Sequence, residues 1–441
     1  MCAGDDCVVA ALCETSTPTL VNPPQVRLPK LAQGVGFAFF RETAMRQWVR
    51  RHGRIFEINV PFFGQSVVVS DPDLVRKVWT ARAGQLINVQ PNISNLFGPG
   101  SMFALDGKAH RDRRKLLASP FHGQSIKHYE RMVEQETLRE SLNWPEDEEF
   151  RILEPMNRIT LNVILRTIFG AEGAEVEELR AIVPPFMKLA QLIAFVPAPP
   201  RWARRLGPWR ALDDFRVSFD RVVGTLITSA ESDPGLDARA DLLAVLVRAG
   251  VPRRDICDEM LTFIGAGHET TASALGWAFE RLRRHPDVLA ELVSEADASA
   301  GEFRRATVLE VLRSRTVIDV AGRRVGAPYF DLGPWRIPRG RNVIVRIADL
   351  HGNPEVFPHP ERFAPERFLS AGAASTMPAF GGGQRRCIGG GFAIAELDIV
   401  LRTVLRNFMI QTDTATDEAS CFRGVAHVPK LGGLVVMKRR K

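Results

Sequence analysis

Apolar and polar residues along this chain follow two rhythms, and the helical one dominates. Near the start, residues 55–60 and 66–69 are rich in Ile, Val and Phe and flank Pro61-Phe62-Phe63-Gly64, which predicts a β-hairpin. Asp71 then stands where a helix cap is needed, ahead of Val75 and Val78. From about 108 to 282 the pattern is almost all helical, with breaks predicted at Pro120, Pro184-Pro185, the 197–208 stretch and Pro252. At its end, residues 255–284 form one predicted helix of roughly 30 residues, about 45 Å long, which must cross the whole molecule. Short strands are predicted again around 317–320, 335–337 and 343–345. The plan is α+β and predominantly α-helical, with a small N-terminal β-sheet region. No linker or internal repeat divides the chain, so a flexible segment 1–30, extended by Pro23, Pro24 and Pro29, is expected before a single domain 31–441.

Composition narrows the class. With 45% hydrophobic and 25% charged residues the chain can bury a sizeable core under an ordinary polar surface. The net charge of +7, from 58 Lys and Arg against 51 Asp and Glu, is spread along the chain. That suits an acidic protein partner at least as well as nucleic acid. Nucleic acid is discounted, because no zinc-finger spacing occurs and the basic residues are not interleaved with aromatics. Cys2, Cys7, Cys13, Cys257, Cys387 and Cys421 are too scattered for a disulfide framework, so a reducing cytoplasm is expected. The first three lack a Cys-x-x-Cys pair or a nearby histidine, and a frayed start is preferred over a metal site there. No run of about 20 apolar residues exists, and Asp5, Asp6 and Glu14 oppose a signal peptide, so neither secretion nor a transmembrane anchor is expected.

Candidate chemistry concentrates in Phe380-Gly381-Gly382-Gly383-Gln384-Arg385-Arg386-Cys387-Ile388-Gly389, which runs into an apolar helix. A thiolate is favoured beside positive charge and at a helix N-terminus, and Cys387 meets both conditions. The three glycines allow positive φ and close approach of a flat ligand. Arg385 is placed to pair with a carboxylate at such a ligand's edge. The alternative is an exposed turn or a phosphate cradle, yet a cradle needs no cysteine, and a P-loop would have Lys where Gln384 stands.

Three further constellations stand out. Gly265-Ala266-Gly267-His268-Glu269-Thr270-Thr271 is a run of small and polar residues at the middle of the long helix. Either it admits a ligand to the backbone, with the Thr270 hydroxyl bonding back one turn and opening a bulge, or its glycines only permit tight packing. Glu310 and Arg313 share a helix face and can pair, a pattern that recurs at Glu136 and Arg139, Glu177 and Arg180, and Glu280 and Arg283. His110 and Arg114 lie one turn apart on a basic helix, where an ordinary solvated surface is the usual meaning.

The loop fills every fixed position of Phe-x-x-Gly-x-Arg-x-Cys-x-Gly and thereby resembles the haem-ligand signature of the cytochrome P450s. The Gly265–Thr271 run resembles that family's oxygen-binding motif, and Glu310, Arg313 and the Pro365-Glu366-Arg367-Phe368 segment resemble its structural charge network. The resemblance spans about His110 to Gly389 and implies the P450 fold, a long central helix over a haem b, and an axial thiolate from Cys387. It implies that Arg385, His110, Arg114 and Arg324 meet the haem propionates, with Arg323 competing for the place of Arg324. It makes Thr270 the hydroxyl that steers protons to dioxygen, Glu269 its acidic relay, and His268 a satisfied or exposed residue at a variable position. Glu310, Arg313 and Arg367 become a buried network behind the haem. One departure is Thr316, where the family often has proline.

The implied reaction inserts one oxygen atom from O2 into a lipophilic small molecule. With no flavin or iron–sulfur module in the chain, electrons must come from a separate ferredoxin or flavodoxin-type donor and its reductase, docking near Arg386 and Lys115. Substrate contacts are expected from 88–102, from 186–195 and from the distal side of the long helix. The 197–208 stretch, with Trp202 and Leu206 among arginines, is read as an entrance lid in preference to a membrane contact. A peroxide-using or rearranging enzyme of the same fold, or a non-catalytic haem or gas-binding protein, is the rival reading.

Overall fold

The computed structural model describes residues 22–441 except 62, 90–93, 122–123, 171, 194–198, 201, 203, 205, 299–300, 371 and 373–376. The N-terminal part holds α1 (Lys30–Phe39), α2 (Arg41–His52), β1 (Ile55–Val60), β2 (Gly64–Val69), α3 (Pro72–Trp79) and β3 (Leu86–Ile87). Asp71 caps α3 by accepting from the backbone N–H groups of Asp73 and Leu74, which satisfies donors that a helix start leaves open. The helical body follows as α4 (Ser94–Phe97), α5 (Gly107–Leu117), α6 (Gln124–Ser141), β4 (Glu149–Arg151), α7 (Leu153–Phe169), α8 (Ala174–Ile193), α9 (Gly207–Glu231) and α10 (Leu242–Arg248). Next come α11 (Arg253–Arg284), α12 (Pro286–Asp297) and α13 (Glu302–Ser314). The C-terminal part contains β5 (Val320–Val325), β6 (Tyr329–Leu332), β7 (Trp335–Pro338), β8 (Asn342–Arg346), α14 (Ile347–His351), α15 (Gly390–Asn407), β9 (Phe408–Ile410), β10 (Ser420–Arg423), β11 (Ala426–Pro429) and β12 (Leu434–Arg439).

At 32 residues, α11 is the long helix read from the sequence, with Pro252 at its N-cap. It lies against α7, and almost all of its residues from Ile256 to Leu282 are buried. The early hairpin is present, but the strands are not two separate groups. The parallel pairing of β2 with β8 joins the N-terminal hairpin to the late strands in one sheet of order β1-β2-β8-β5-β3.

Two local expectations are corrected. A break was expected at Pro184-Pro185, yet α8 runs through both prolines. An interior proline costs about 3 kcal/mol, but here Val183 and Met187 are buried and the Phe186 ring stacks on Phe215 of α9 with centroids 3.9 Å apart. Packing along the α8–α9 face therefore outweighs the lost hydrogen bonds. The strand expected at 317–320 lies instead at Val320–Val325. Gly322, Arg323 and Arg324 interrupt the apolar pattern there, while Asp319 just before the strand is held by Arg41 and Arg346.

Residues 22–29 are tied to β1 by the Val26 N–H to Glu57 O and Glu57 N–H to Pro24 O bonds at 3.0 and 2.8 Å. The earlier part of the expected flexible segment, residues 1–21 with Cys2, Cys7 and Cys13, lies outside the described residues, as does part of the 197–208 stretch.

Candidate functional site

The cysteine loop leads into α15, which begins at Gly390. It closes on itself through Cys387 N–H to Phe380 O at 2.9 Å and Gly381 N–H to Pro378 O at 2.7 Å. Gly381 and Gly383 have φ of 67° and 65°, a left-handed backbone that favours glycine. The close neighbour that two of these glycines admit is a side of the protein. A Cβ on Gly382 would stand 2.3 Å from the Trp79 ring, and one on Gly383 would stand 2.0 Å from the Trp79 carbonyl oxygen. Packing of the loop on the end of α3 thus gives a reason for glycine at 382 and 383 within the protein itself.

Cys387 is exposed by area, yet burial is the largest influence on its thiol and pushes it up, opposed by the Gly389 N–H, Arg114 and Arg386. The arginines and the start of α15 do not overcome burial unaided, and a bound metal cation is what would keep such a thiol deprotonated.

A cationic cluster stands beside this loop. His110 on α5 is 3% exposed and its imidazole is pushed down to about 4, first by burial and then by Arg385, Arg114, Arg323 and Arg111. Arg323 is lowered to about 10 by burial and Arg385, with Asp106 opposing. Burial also lowers Arg114 and Arg385. The Arg385 fork rests on Asp106 and on the Met102 and Leu105 carbonyls. Strand alternation separates the two neighbours on β5. Arg323 joins the cluster, whereas Arg324 bonds the Gly340 carbonyl at 3.2 Å and lines a surface cleft with Phe63, Gln65 and Arg339. The structure therefore brings His110, Arg114, Arg323, Arg385 and Cys387 together and leaves Arg324 out.

At mid-α11, Ala266 is exposed and Gly267 and Thr270 are half-buried, although the residues on either side are buried. Positions 266 and 270 share a helix face, so between Ile256 and Leu282 α11 opens on one stripe. Thr270 Oγ1 donates to the Ala266 carbonyl at 2.8 Å, as expected, but α11 stays regular and no bulge opens. Gly265 and Gly267 make room for Phe97 and Ile164, with Cβ distances of 2.6 and 3.1 Å, so packing explains them. His268 is buried and bonded to the Ile264 carbonyl at 2.9 Å. Glu269 is buried and pushed up to about 7 by burial, against a hydrogen bond from Gln191 and the charge of Arg423. Its carboxyl thus meets α8 and the end of β10, and no bond joins it to Thr270 among the described residues.

Residues 24–436 match the family profile described as Cytochrome P450. The chain belongs to the cytochrome P450 family. It is 51% identical over 430 residues to cytochrome P450 138 of Mycobacterium tuberculosis, covering 96% of this chain and 98% of that protein. It is 33% identical over 438 residues to cytochrome P450 135B1 of the same species, covering 96% and 92%. Among solved structures, a retinoic acid bound cyanobacterial CYP120A1 aligns with a TM-score of 0.84 at 21% identity, covering 96% of this chain and all of that one. The heme domain of cytochrome P450DA aligns at 0.81 and 20%, covering 96% and 98%. The fold is thus the P450 fold, and the protein is a haem-thiolate monooxygenase, an oxidoreductase that uses O2, an organic substrate and redox partners.

The charge network of this P450 centres on Glu310. Arg313 grips Glu310 with two bonds of 2.7 Å, the Ala364 N–H donates to Glu310 at 2.9 Å, and Arg367 Nε lies 3.2 Å from it. Glu310 has no exposed area and the Arg313 side chain 2%. The other Glu-x-x-Arg patterns differ: Arg139 is 62% exposed, Glu177 66%, and Glu280 pairs with Arg281 and Arg284. At the departure from the family pattern, Thr316 Oγ1 meets His351 Nδ1 at 2.7 Å. No helix of the described residues is long and apolar enough to cross a membrane.

The residues fit a haem held through a cysteine. Four guanidiniums act on a neutral histidine, with Asp106 the carboxylate that opposes burial at Arg323 and Arg385, which leaves positive charge for a ligand's carboxylates to meet. Sequence reasoning missed Trp79, Asp106, Gln191 and Arg423. None carries a local signal, because each acts across a long stretch of chain.

Proposed function

We propose that Cys387 supplies the thiolate to a haem b, and that Arg114, Arg323 and Arg385 with His110 hold its carboxylates. Arg323 thereby takes the place expected for Arg324. In this reading Thr270 and Glu269 move protons on the distal side, and Glu310, Arg313 and Arg367 brace the loop from behind. The substrate is a lipophilic small molecule, and the electrons come from an acidic ferredoxin or flavodoxin-type donor with its reductase. The scattered cysteines favour a cytoplasmic setting.

The observation that carries this reading is the open stripe Ala266, Gly267 and Thr270 in the stretch of α11 from Ile256 to Leu282, whose other residues are all buried, in a protein whose one exposed described cysteine is Cys387. Cys257 is buried, its thiol pushed up to about 11, and Cys421 is half-buried on β10. When bound, the haem supplies activation of dioxygen and transfer of one oxygen atom to substrate. The chain does the rest. The cationic cluster orients the group, and the Thr270 hydroxyl presents its oxygen on the open stripe. Apolar residues such as Phe97, Phe103 and Ile164 keep water from the adjoining space. Arg386 is exposed and close enough to act on Arg114 by charge, and the exposed Lys115 follows Arg114 on α5, a basic surface suited to an acidic donor.

The test is the reduced carbon-monoxide difference spectrum of the parent and of Cys387→Ser, followed by spin-state titration with a panel of lipophilic and polar compounds. A thiolate-type Soret band lost in the variant, with shifts from lipophilic compounds, is expected. A band unchanged by the substitution would refute the ligand, and shifts from polar compounds alone would refute the substrate class.

A further inference from the structure

The carboxyl of Glu269 is where three elements meet. From α8, the half-buried Gln191 side chain donates its amide N–H to Glu269 Oε1. From the β10–β11 hairpin, Arg423 acts on the same carboxyl by charge. The hairpin tip is seated on α8 itself: Gly424 has φ 63°, and a Cβ there would stand 2.7 Å from Gln191 Cα. The hairpin's other strand is anchored to the body, with Trp277 Nε1 donating to His427 O at 3.0 Å and His427 N–H to Val317 O at 2.8 Å. Glu269 is 7% exposed and its Oε2 has no partner among the described residues. Thr270, the next residue, faces the open stripe about 100° further round the helix.

We propose that Gln191 is a positioning residue for Glu269: its amide, backed by Arg423, holds the carboxyl against α8 and so makes proton supply to the Thr270 side depend on where α8 and the hairpin sit. The inference rests on the reading of Glu269 as a proton donor. The geometry supports it because a buried carboxyl with one oxygen bonded and one free is held by a single removable contact. Burial pushes Glu269 up to about 7, and Gln191 and Arg423 are the two groups that pull it back. Other titratable groups nearby are engaged elsewhere or in solvent. Lys188 on α8 is exposed, His268 bonds the Ile264 carbonyl, and the His427 ring lies 3.4 Å from Asp319. A substrate that displaces the end of α8 would free the carboxyl, favour its protonated form and place a donor beside Thr270. Occupancy of the site and readiness to deliver protons would then be coupled.

The experiment compares the haem-loaded parent with Gln191→Leu, Arg423→Leu and Glu269→Gln. Infrared pH-difference spectra identify the Glu269 carboxylic acid band by its loss in Glu269→Gln. A hydrogen bond to a charged group is worth about 1.5–3 kcal/mol, so Gln191→Leu should raise the band's titration midpoint by about 1–2 pH units, and Arg423→Leu should raise it less. The alkaline fall in product formed per electron pair consumed should move up with it. A purely structural Gln191 would lower thermal stability and leave both midpoints in place, which would overturn the proposal while Glu269→Gln still abolished the alkaline limb. If instead Glu269→Gln leaves product formation and its pH profile unchanged, the donor reading of Glu269 fails and this inference falls with it.

Discussion

Replacing Glu310 by glutamine tests whether the buried charge network holds the chain together behind the cysteine loop. The substitution keeps size and shape but puts an NH2 where Arg313 now finds a carboxylate oxygen at 2.7 Å. One of the two bonds becomes a donor facing a donor. Arg367 loses its carboxylate at 3.2 Å, and the Ala364 N–H loses its partner if the amide turns to spare Arg313. Arg313 keeps the His351 and Arg362 carbonyls at 3.0 and 3.2 Å, so some solvation of its charge remains. Breaking a buried pair by removing one charge costs about 3–5 kcal/mol, because the other charge stays behind. With an unfolding entropy near 2.1 cal/mol/K per residue, a chain of this length loses about 1 °C of Tm per kcal/mol. Glu310→Gln should therefore unfold about 3–5 °C lower in the haem-loaded state. Glu177→Gln, which breaks a pair whose carboxylate is 66% exposed, should change stability by about 0.5 kcal/mol or less. The assay is paired thermal and urea unfolding of both variants. Equal, sub-kilocalorie effects at the two sites would refute the distinction drawn from burial.

Three more outcomes follow from the geometry. Gly383→Ala should lower stability by about 2–4 kcal/mol in urea unfolding and impair haem retention, since it adds positive-φ strain to a backbone clash with Trp79. Trp79→Ala should not rescue it, because the clashing atom is the main-chain oxygen. Arg323→Ala should weaken haem retention in a transfer assay to apomyoglobin, whereas Arg324→Ala, bonded to Gly340 away from the cluster, should leave it within twofold; the reverse order would refute the placement. For His110 the folded imidazole titrates near 4 and an unfolded one near 6.5. The unfolded chain therefore binds the extra proton first, and stability complete above about pH 6.5 falls as pH drops toward 4. The haem-free protein should lose about 2 kcal/mol between pH 7 and 5 through this group, His110→Gln should lose less, and haem, whose carboxylates favour imidazolium, should flatten the slope.

The fold was legible wherever local pattern and tertiary need agreed. The long α11, the capped α3 and the early hairpin each carry their own signal in residue spacing. Where long-range contacts decide, the pattern misleads. Pro184 and Pro185 announce a break that the Phe186–Phe215 stack overrides, and the Val320–Val325 strand hides behind Gly322, Arg323 and Arg324. The joining of β2 to β8 across about 275 residues has no local trace at all.

The site divides along the same line. Cys387, Arg385, Glu310 and Thr270 sit in short motifs whose chemistry depends on neighbours in sequence, and such motifs survive translation into a one-dimensional reading. The choice between Arg323 and Arg324 does not, because adjacent strand residues point to opposite faces and only the pairing of β5 with β8 says which face meets the cluster. Glu269 shows the limit most clearly. Its neighbour Thr270 is adjacent in sequence, yet the helix turns their polar ends apart, and the partner that holds the acid, Gln191, lies 78 residues away. A sequence motif can therefore name the acid and the alcohol, while the groups that act on the acid come from α8 and the β10–β11 hairpin. Relatives that share the motif but differ at the positions of Gln191 or Arg423 should accordingly differ in the pH dependence of coupling before they differ in haem binding.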